Sequence, residues 1–321
     1  MAQAKGSNGQ LLAGVTEVTY NVNPATSASV ALPFVSFGVK ETAPLIRSKT
    51  INSNRNAVQP TVGNIALSGP IVVPLDELGM GHWLRMLLGN PVTTGTNPYT
   101  HVFKVGTSIN SHVFEQGYTD IAQFQRLNGG KVGTMALSLD QGANAEPVVT
   151  FGVTAATSTW SGSSMDSTPA VEALTVIPFG MAAITLKEGG SLIATAQSVA
   201  LTEFTNGLDD KGYCIGNAGA LATLPEGIAY AKGTLKAMFE NLTLLNKALN
   251  GTESSIEIIG TNGTHSISFK FNEVQYAKTS PAIQGPLGIW VELEWEAYYN
   301  NHADASILTA TLINTHATYT Y

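Results

Sequence analysis

Charged side chains are scarce in this chain, and cysteine is almost absent. Asp, Glu, Lys and Arg together make up 12% of its 321 residues, so we expect partner molecules to cover much of the surface. The net charge of −7 argues against affinity for a phosphate backbone, which depends on clusters of Lys and Arg. A single cysteine excludes an intrachain disulfide, and Cys214 has no metal-site spacing around it. We predict that Cys214 is a small buried apolar side chain.

Long apolar runs are missing too. The N-terminal residues "MAQAKGSNGQLLAG" contain no apolar signal core, and no stretch approaches the roughly 18 apolar residues of a membrane span. We therefore expect a protein that is made and used in a cytoplasm unless a particle carries it out, with no membrane partner.

The motifs of catalysis and of metal binding are also absent. The six histidines show neither HxH nor HExxH spacing. No GxSxG motif accompanies the many serines, and the glycines of "LNGGKVG" lack the order of a phosphate-binding loop. The sequence therefore predicts no enzyme, no cofactor and no metal site.

What the chain does contain is typical of β-sheet. Hydrophobic residues make up 44% of it, and glycine alone contributes 32 residues, beside many Ser, Thr, Asn and Val residues. Its length suggests about two domains, on the usual scale of roughly 100 to 200 residues per domain. We predict a mainly β (α+β) fold.

The sequence also repeats itself weakly. "LPFVSF" from Leu32, "GNIALSGPIV" from Gly63 and a Leu-rich segment ending at Gly89 find partners in "IPFGMA" from Ile177, "GIAYAKGTLK" from Gly227 and a segment ending at Gly251. The segments 128–155 and 284–315 also match. We predict two tandem domains, residues 1–165 and 166–321, joined by the Ser-, Gly- and Pro-rich linker 161–170. The loop 207–227 has no counterpart in this alignment.

Each half carries one helical pattern. An apolar stripe with helical spacing runs from Leu75 to Leu88, and another from Leu235 to Leu249. Gly89 and Gly251 follow these stripes, and glycine just past a helix suits a left-handed backbone. We predict that one helix flanks the sheet of each domain.

The segment "GIWVELEWEAYY", residues 288–299, alternates acidic and apolar side chains. Glu292, Glu294 and Glu296 share one face of the predicted strand, and Val291, Leu293 and Trp295 lie on the other. Such an acidic face can simply face water, or it can line a functional surface. Both interpretations stay open on the residues alone.

A second candidate is a polar, turn-rich segment, residues 38–63, which we name the arm. It carries Lys40, Arg47, Lys49 and Arg55 against a single Glu41. Long loops of one charge sign are uncommon in compact domains and are usually functional. A solvated loop without a role is the alternative.

Three stretches resemble the tail tube proteins of long-tailed bacteriophages. They are "GSNGQLLAGVTEVTYNVNP" from Gly6, "GNIALSGPIVVPLDELGMGHWLRMLLGNPVTTGTNPYTHVFKVG" from Gly63 and "FEQGYTDIAQFQRLNGGKVGTMALSL" from Phe114. The resemblance covers most of residues 10–155, and the second half of the chain resembles the same family as a diverged copy of the first half. Many members of that family carry one tube domain, whereas this chain is predicted to carry two.

The resemblance implies a fold and a role. The fold is an antiparallel β-sandwich with a flanking helix, whose strands join a β-barrel around a channel. Six such domains form a ring, so a doubled chain implies a homotrimer with pseudo-sixfold symmetry, and the rings stack into a tube that conducts DNA. Closure into a barrel removes exposed strand edges. The protein would be a structural virion component, assembled in the bacterial cytoplasm, with the tape-measure protein and other tail proteins as partners.

Within that role the two candidate surfaces gain specific expectations. Glu292, Glu294 and Glu296, with Asp140 as a weaker partner in the first half, are predicted to face the channel and repel passing DNA without binding it. Lys40, Arg47, Lys49 and Arg55 are predicted to dock on the next ring.

A binding module is the rival class, either a virion decoration protein or an adhesin domain. An exposed aromatic cluster would mark it, and Trp160, Trp290 and Trp295 are scattered in the sequence.

Overall fold

The computed structural model describes residues 3–24, 28–51, 53–141, 145–177, 183–283 and 285–319. Strands dominate this part of the chain, and α-helices occur at Gly79–Leu88 (α1) and Thr243–Asn250 (α2), beside a short 3-10 turn at Gly6–Asn8. The prediction of a mainly β fold is confirmed.

Most strands pair with strands that are distant in the sequence. Those of the first half are β1 (Gly9–Thr16), β2 (Val30–Ala31), β3 (Ser36–Phe37), β4 (Lys40–Thr42), β5 (Leu45–Ile46), β6 (Thr61–Val62), β7 (Ala66–Pro74), β8 (Val92–Gly95), β9 (Tyr99–Lys104), β10 (His112–Tyr118), β11 (Gln123–Asp140), β12 (Val148–Ala155) and β13 (Thr157–Ser161). Those of the second half are β14 (Ala170–Val171), β15 (Ile184–Glu188), β16 (Ser191–Leu192), β17 (Ala196–Thr205), β18 (Tyr230–Met238), β19 (Ser254–Asn262), β20 (His265–Tyr276), β21 (Trp290–Ala297) and β22 (Thr309–Asn314).

One sheet runs through both halves, and we name it the long sheet. Its strands lie in the order β3 and β4, β7, β12, β11, β17, β18, β21 and β20, and every pairing is antiparallel. The halves meet where β11 pairs with β17, from Thr134 opposite Thr205 to Asp140 opposite Ser198. This central junction is an ordinary strand pairing, so the sheet continues from one half to the other.

Each half adds a flanking sheet. In the first half β1, β10, residues 123–130 of β11 and β13 lie side by side. In the second half β15, β19, residues 265–271 of β20 and β22 do the same, and this sheet continues from β22 through β9 to β8 of the first half. The strand β11 leaves the flanking sheet and enters the long sheet near Gly129, whose φ of 66° is costly for residues with a Cβ.

The same pattern of pairings therefore occurs twice, and it corrects the sequence alignment by one strand. The alignment set the β11–β12 region against β21 and β22. In the structure β12 lies between β7 and β11, as β21 lies between β18 and β20. By this pattern β12 corresponds to β21, and β11 corresponds to β20.

Two glycines show that the halves share a detail of backbone packing. A Cβ added to Gly69 would lie 2.2 Å from the carbonyl oxygen of Gly38, and one added to Gly233 would lie 2.0 Å from that of Ala200. Gly69 is in β7 and Gly233 is in β18, and these strands hold the same position in the pairing pattern. Glycine is needed at both because another backbone approaches closely.

The helices are shorter than their apolar stripes predicted. Leu75 and Leu78 precede α1. Leu235 and Met238 belong to β18, where Leu235 is buried and Met238 is exposed on the opposite face. All ten residues of α1 are buried, and Trp83 stacks on Phe151 with 4.9 Å between the ring centres. Helix α2 buries only Leu245 and Ala248.

The helix ends match the sequence prediction. Gly89 and Gly251 follow α1 and α2 and both have positive φ, at 104° and 64°.

One further expectation is wrong. Cys214 is exposed rather than buried, because it lies in the 207–227 loop and not in a core. The linker 161–170 is held against the first half, since Glu115 accepts hydrogen bonds from Ser164 Oγ and Met165 N. Of the segment "IPFGMA", Ile177 is buried and the remaining residues lie outside the described part of the chain.

Candidate functional surfaces

The acidic face of β21 has the predicted alternation. Glu292, Glu294 and Glu296 are exposed, while Val291, Leu293 and Trp295 are buried, and Trp295 packs on Phe271 with 4.8 Å between ring centres. The apolar side of the strand is thus held by the core between the long sheet and a flanking sheet, and this fixes the three carboxylates on the outer side.

The neighbouring strand places lysines among these carboxylates. Lys236 lies opposite Glu292 and Lys232 lies opposite Glu296. Paired residues share a sheet face, so this face is mixed in charge where the sequence of β21 alone predicted a purely acidic one. Sequence reasoning missed the lysines because they lie about sixty residues earlier in the chain.

Both lysines have additional partners. Lys232 Nζ lies 2.9 Å from Glu203 Oε2 on β17, and this hydrogen bond raises the pKa of Lys232 and lowers that of Glu203. Lys236 Nζ lies 5.6 Å from the centre of the Trp290 ring. The cations on this surface are therefore engaged by neighbours on the protein itself.

Asp140 lies in the same row of the sheet as the first glutamate. It pairs with Ser198, Ser198 pairs with Lys236, and Lys236 pairs with Glu292. Three strand spacings separate Asp140 from Glu292, which is roughly 14 Å. The positions of β12 that correspond to the three glutamates are Thr150, Gly152 and Thr154, so the exposed side of this strand is neutral, although Lys131 lies opposite Thr154 on the neighbouring strand.

Part of this face is concave. A depression of about 790 Å³ is lined by Lys232, Thr234, Gln275, Glu294 and Glu296, among others. The exposed side of the long sheet therefore curves inward around the glutamates.

The arm divides into a part within the sheet and a projecting part. Lys40 is in β4 and pairs with Ser68 of β7, so it belongs to the long sheet. Residues 43–63, which we name the arm hairpin, are held by the pairing of β5 with β6. Arg47, Lys49 and Arg55 are exposed on it. Asn52 lies outside the described residues.

The arm hairpin also exposes apolar side chains, which its charge pattern did not predict. Ile51 is 96% exposed, and Leu45, Ile46 and Val62 are each more than half exposed. Together with the basic residues they form a surface that is both cationic and apolar. Such a combination is typical of protein contact surfaces.

The 207–227 loop packs beside the base of the arm hairpin. Ile65 N donates a hydrogen bond of 2.8 Å to Gly219 O, and Tyr213 Oη donates one of 2.9 Å to Ile65 O. In the pairing pattern this loop connects β17 to β18 as the arm hairpin connects β4 to β7. The loop therefore has a counterpart, which the sequence alignment did not find.

The aromatic residues of the rival interpretation do not come together. Trp295 is buried, Trp290 is half-buried, and Trp160 is 57% exposed. Trp160 stacks on Tyr118, with 6.1 Å between the ring centres. These three tryptophans form no common binding surface.

Three potential metal ligands meet beside α1. His82 of α1, Glu172 of the connection after β14, and His316 of the C-terminal segment each place one ligand atom within 4.8 Å of the other two. They are far apart in the chain, so no sequence motif predicts the cluster.

No helix in the described part of the chain has the length and apolar character needed to cross a bilayer. A family model described as phage tail tube protein matches residues 6–297, a range that includes both helices and all strands from β1 to β21. No curated protein matches the sequence. The family match covers the arm and the acidic strand alike, and it agrees with the resemblance found in the sequence.

Proposed function

The chain belongs to the phage tail tube protein family, and from this premise we propose that three copies close a ring around a channel that conducts phage DNA. Membership makes it a structural protein of the virion that assembles with copies of itself and with other tail proteins. The trimer, the orientation of the sheet and the docking of the arm are the proposal.

The junction between β11 and β17 carries the proposal of a trimer. This junction joins the two halves of one chain. The two outer edges of the long sheet carry the two segments that an equivalent junction between neighbouring chains would need. β3 and β4 hold the position of β17, and among the described residues they pair with β7 alone. The last residues of β11 extend beyond its pairing with β12 and pair with β17. Residues 277–283 hold the corresponding position after β20, and they form no strand.

We therefore pair residues 277–283 of one copy with β3 and β4 of the next. Ala277 N donates a hydrogen bond of 2.9 Å to Glu294 O. Thr134 pairs with Gly152, the residue that corresponds to Glu294, so Ala277 corresponds to Thr134. Transferring the register of the central junction puts Ala277 beside Thr42 and Ile283 beside Ser36. Each chain contributes two similar units, so three chains joined in this way place six units around the axis, and closure leaves the long sheet without a free edge.

The exposed side of the long sheet faces the channel in this arrangement. Its opposite side is packed on the flanking sheets, and its concave region contains Glu294 and Glu296. DNA passing this surface meets carboxylates, and the lysines among them are already engaged by Glu203 and Trp290. The carboxylates therefore repel the phosphates of DNA, and the paired lysines do not bind them. Before ejection the same channel would hold the tape-measure protein.

The arm hairpin reaches the neighbouring ring. Arg47, Lys49 and Arg55 complement the acidic net charge of another copy, and Ile51 supplies apolar area to bury there. Rings formed in the bacterial cytoplasm would stack through these arms into a tube.

A disulfide test can measure both the ring size and the register. Ala277→Cys and Thr42→Cys are combined in a Cys214→Ser background, so that only the proposed junction can cross-link. Oxidation should give a circular species with the mass of three chains. The matched control pairs Ala277→Cys with Ser36→Cys, which the register keeps apart beyond disulfide reach. A ring of six chains, or equal cross-linking by the control pair, would contradict the proposal.

A further inference from the structure

The cluster beside α1 brings two imidazoles onto one carboxylate oxygen. His82 Nε2 lies 3.1 Å from Glu172 Oε2, and His316 Nε2 lies 2.9 Å from the same oxygen. Three separate segments supply these side chains: α1, the connection after β14 and the C-terminal segment. Such convergence of one carboxylate and two imidazoles is the ligand set of many zinc sites.

We infer that His82, Glu172 and His316 bind a Zn²⁺ ion, with water as the fourth ligand. Zinc bonds to imidazole nitrogen and carboxylate oxygen are about 2.0–2.2 Å long, so ligand atoms on a tetrahedral ion lie about 3.3–3.6 Å apart. The separations of 3.1 Å and 2.9 Å from Glu172 Oε2 must open by about 0.2–0.7 Å to admit the ion. The two imidazole nitrogens lie within 4.8 Å of each other and must reach the same range. This inference does not depend on the proposed ring.

The three side chains are of the types that bind zinc: the imidazole nitrogens coordinate in their neutral form and the carboxylate oxygen in its charged form. Their ligand atoms already lie within 4.8 Å of one another.

Two further carboxyl groups, those of Asp76 and Glu77, are buried just before α1. A divalent cation nearby would favour the ionised form of such groups.

An ion would also hold the C-terminal segment on the helix. Tyr319 Oη donates to Leu78 O at 2.9 Å, and the Tyr319 ring lies where a Cβ on Gly81 would be, 2.2 Å from its nearest atom. His316 belongs to the same segment and is partly exposed, whereas His82 is fully buried. The ion can therefore enter beside His316 and link the segment to α1.

Cobalt substitution tests the site directly. The untagged full chain, treated with a chelator and then titrated with Co²⁺, should bind one ion per chain and develop the intense visible absorption of a tetrahedral site. Zn²⁺ should displace the Co²⁺ and abolish that absorption. A tetrahedral spectrum requires protein ligands, so weak surface binding would not produce it.

Two variants and one control assign the ligands. Glu172→Gln keeps a hydrogen-bonding oxygen but removes the charge, and His316→Gln removes a partly exposed ligand. Each should weaken Co²⁺ binding by at least about tenfold. The control is His302→Gln, because His302 is also partly exposed but pairs with Asp304 elsewhere.

Circular dichroism of each variant checks that it is folded. Should a variant unfold, the zinc X-ray absorption spectrum of the unaltered chain decides: two imidazole ligands support the site, and their absence overturns it. Failure of the unaltered chain to bind Co²⁺ or Zn²⁺, or equal binding by all three folded variants, would also overturn it. In either case the cluster is a hydrogen-bonded contact and nothing more.

Discussion

The arm hairpin and the 207–227 loop occupy the same place in the two halves and have different structures. The arm hairpin connects β4 to β7, which contains Gly69. The loop connects β17 to β18, which contains Gly233. The arm hairpin projects and exposes Ile51 and Leu45. The loop folds onto the body, where Leu221 and Leu224 pack with Ala156. A connection of similar length can thus become a contact surface or a support, depending on whether its apolar residues find a core within the chain.

The strands β12 and β21 correspond between the halves, and their exposed faces differ in a similar way. Glu292, Glu294 and Glu296 on β21 stand where β12 has Thr150, Gly152 and Thr154. The buried sides remain apolar in both strands. Packing constrains the inner side of a strand, while the outer side can change its charge freely.

The strongest test of the correspondence is the pair of glycines. Gly69→Ala and Gly233→Ala should each lower the free energy of unfolding by about 3 kcal/mol or more, because the new Cβ collides with a backbone carbonyl that has no room to move. Urea denaturation of unassembled chain measures the loss. Gly288→Ala is the control, since its Cβ would meet open space. A loss at only one of the two glycines would show that the halves do not share this packing.

Removal of the arm tip should separate folding from assembly. Deletion of residues 51–57 is expected to leave the free energy of unfolding within about 0.5 kcal/mol of its original value, because the described residues in this range are exposed. Polymerisation, observed by electron microscopy, should stop. Tubes of normal length from the deleted chain would mean that the arm does not join rings.

A matched pair of substitutions refines that result. Ile51→Ser on the arm hairpin and Ile215→Ser on the 207–227 loop both replace an almost fully exposed isoleucine. Only the arm variant should slow polymerisation, measured by light scattering. Equal slowing by both would give the loop a share in the contact and remove the functional difference between the two connections.

Reversal of charge on the acidic strand should slow DNA delivery. The combined variant Glu292→Lys, Glu294→Lys and Glu296→Lys should still form tubes, since exposed substitutions change stability little. The new cations would hold phosphates, so DNA ejection should become slower, and more so at low salt because screening weakens such contacts. Thr150→Lys with Thr154→Lys tests the neutral strand β12 and should give a smaller effect.

Normal ejection kinetics of the triple variant would mean that the three glutamates only face water and do not affect the passage of DNA. Cryo-electron microscopy of the same tubes provides the direct check, because carboxylates on the outside of the tube contradict the channel assignment.

The smallest effect is expected at the base of the arm hairpin. Tyr213→Phe removes the hydrogen bond to Ile65 O and should cost about 1 kcal/mol. Amide hydrogen exchange near Ile65 should become faster while exchange elsewhere stays unchanged. Tyr299→Phe, at another half-exposed tyrosine, is the control. Unchanged exchange near Ile65 would mean that the loop does not support the arm.

Local patterns predicted the elements that depend on one segment alone. The alternation in residues 288–299 specified the strand β21 and both of its faces, and Gly89 and Gly251 marked two helix ends. Patterns that fit two structures were misleading. Leu235 and Met238 fit a helical stripe, but both lie in β18, which pairs with β17 and β21 along its length. Only Leu235 is buried there, and Met238 is exposed.

By itself the sequence determined the β-rich class, the family and the residues of the acidic strand, because composition and alternation act over a few neighbouring positions. Tertiary structure alone decided which strands pair, that lysines lie among the glutamates, that the 207–227 loop is the counterpart of the arm hairpin, and that His82, Glu172 and His316 meet. Contacts of this kind join residues separated by tens to hundreds of positions. Their identity depends on which buried surfaces fit together, and no local pattern records that.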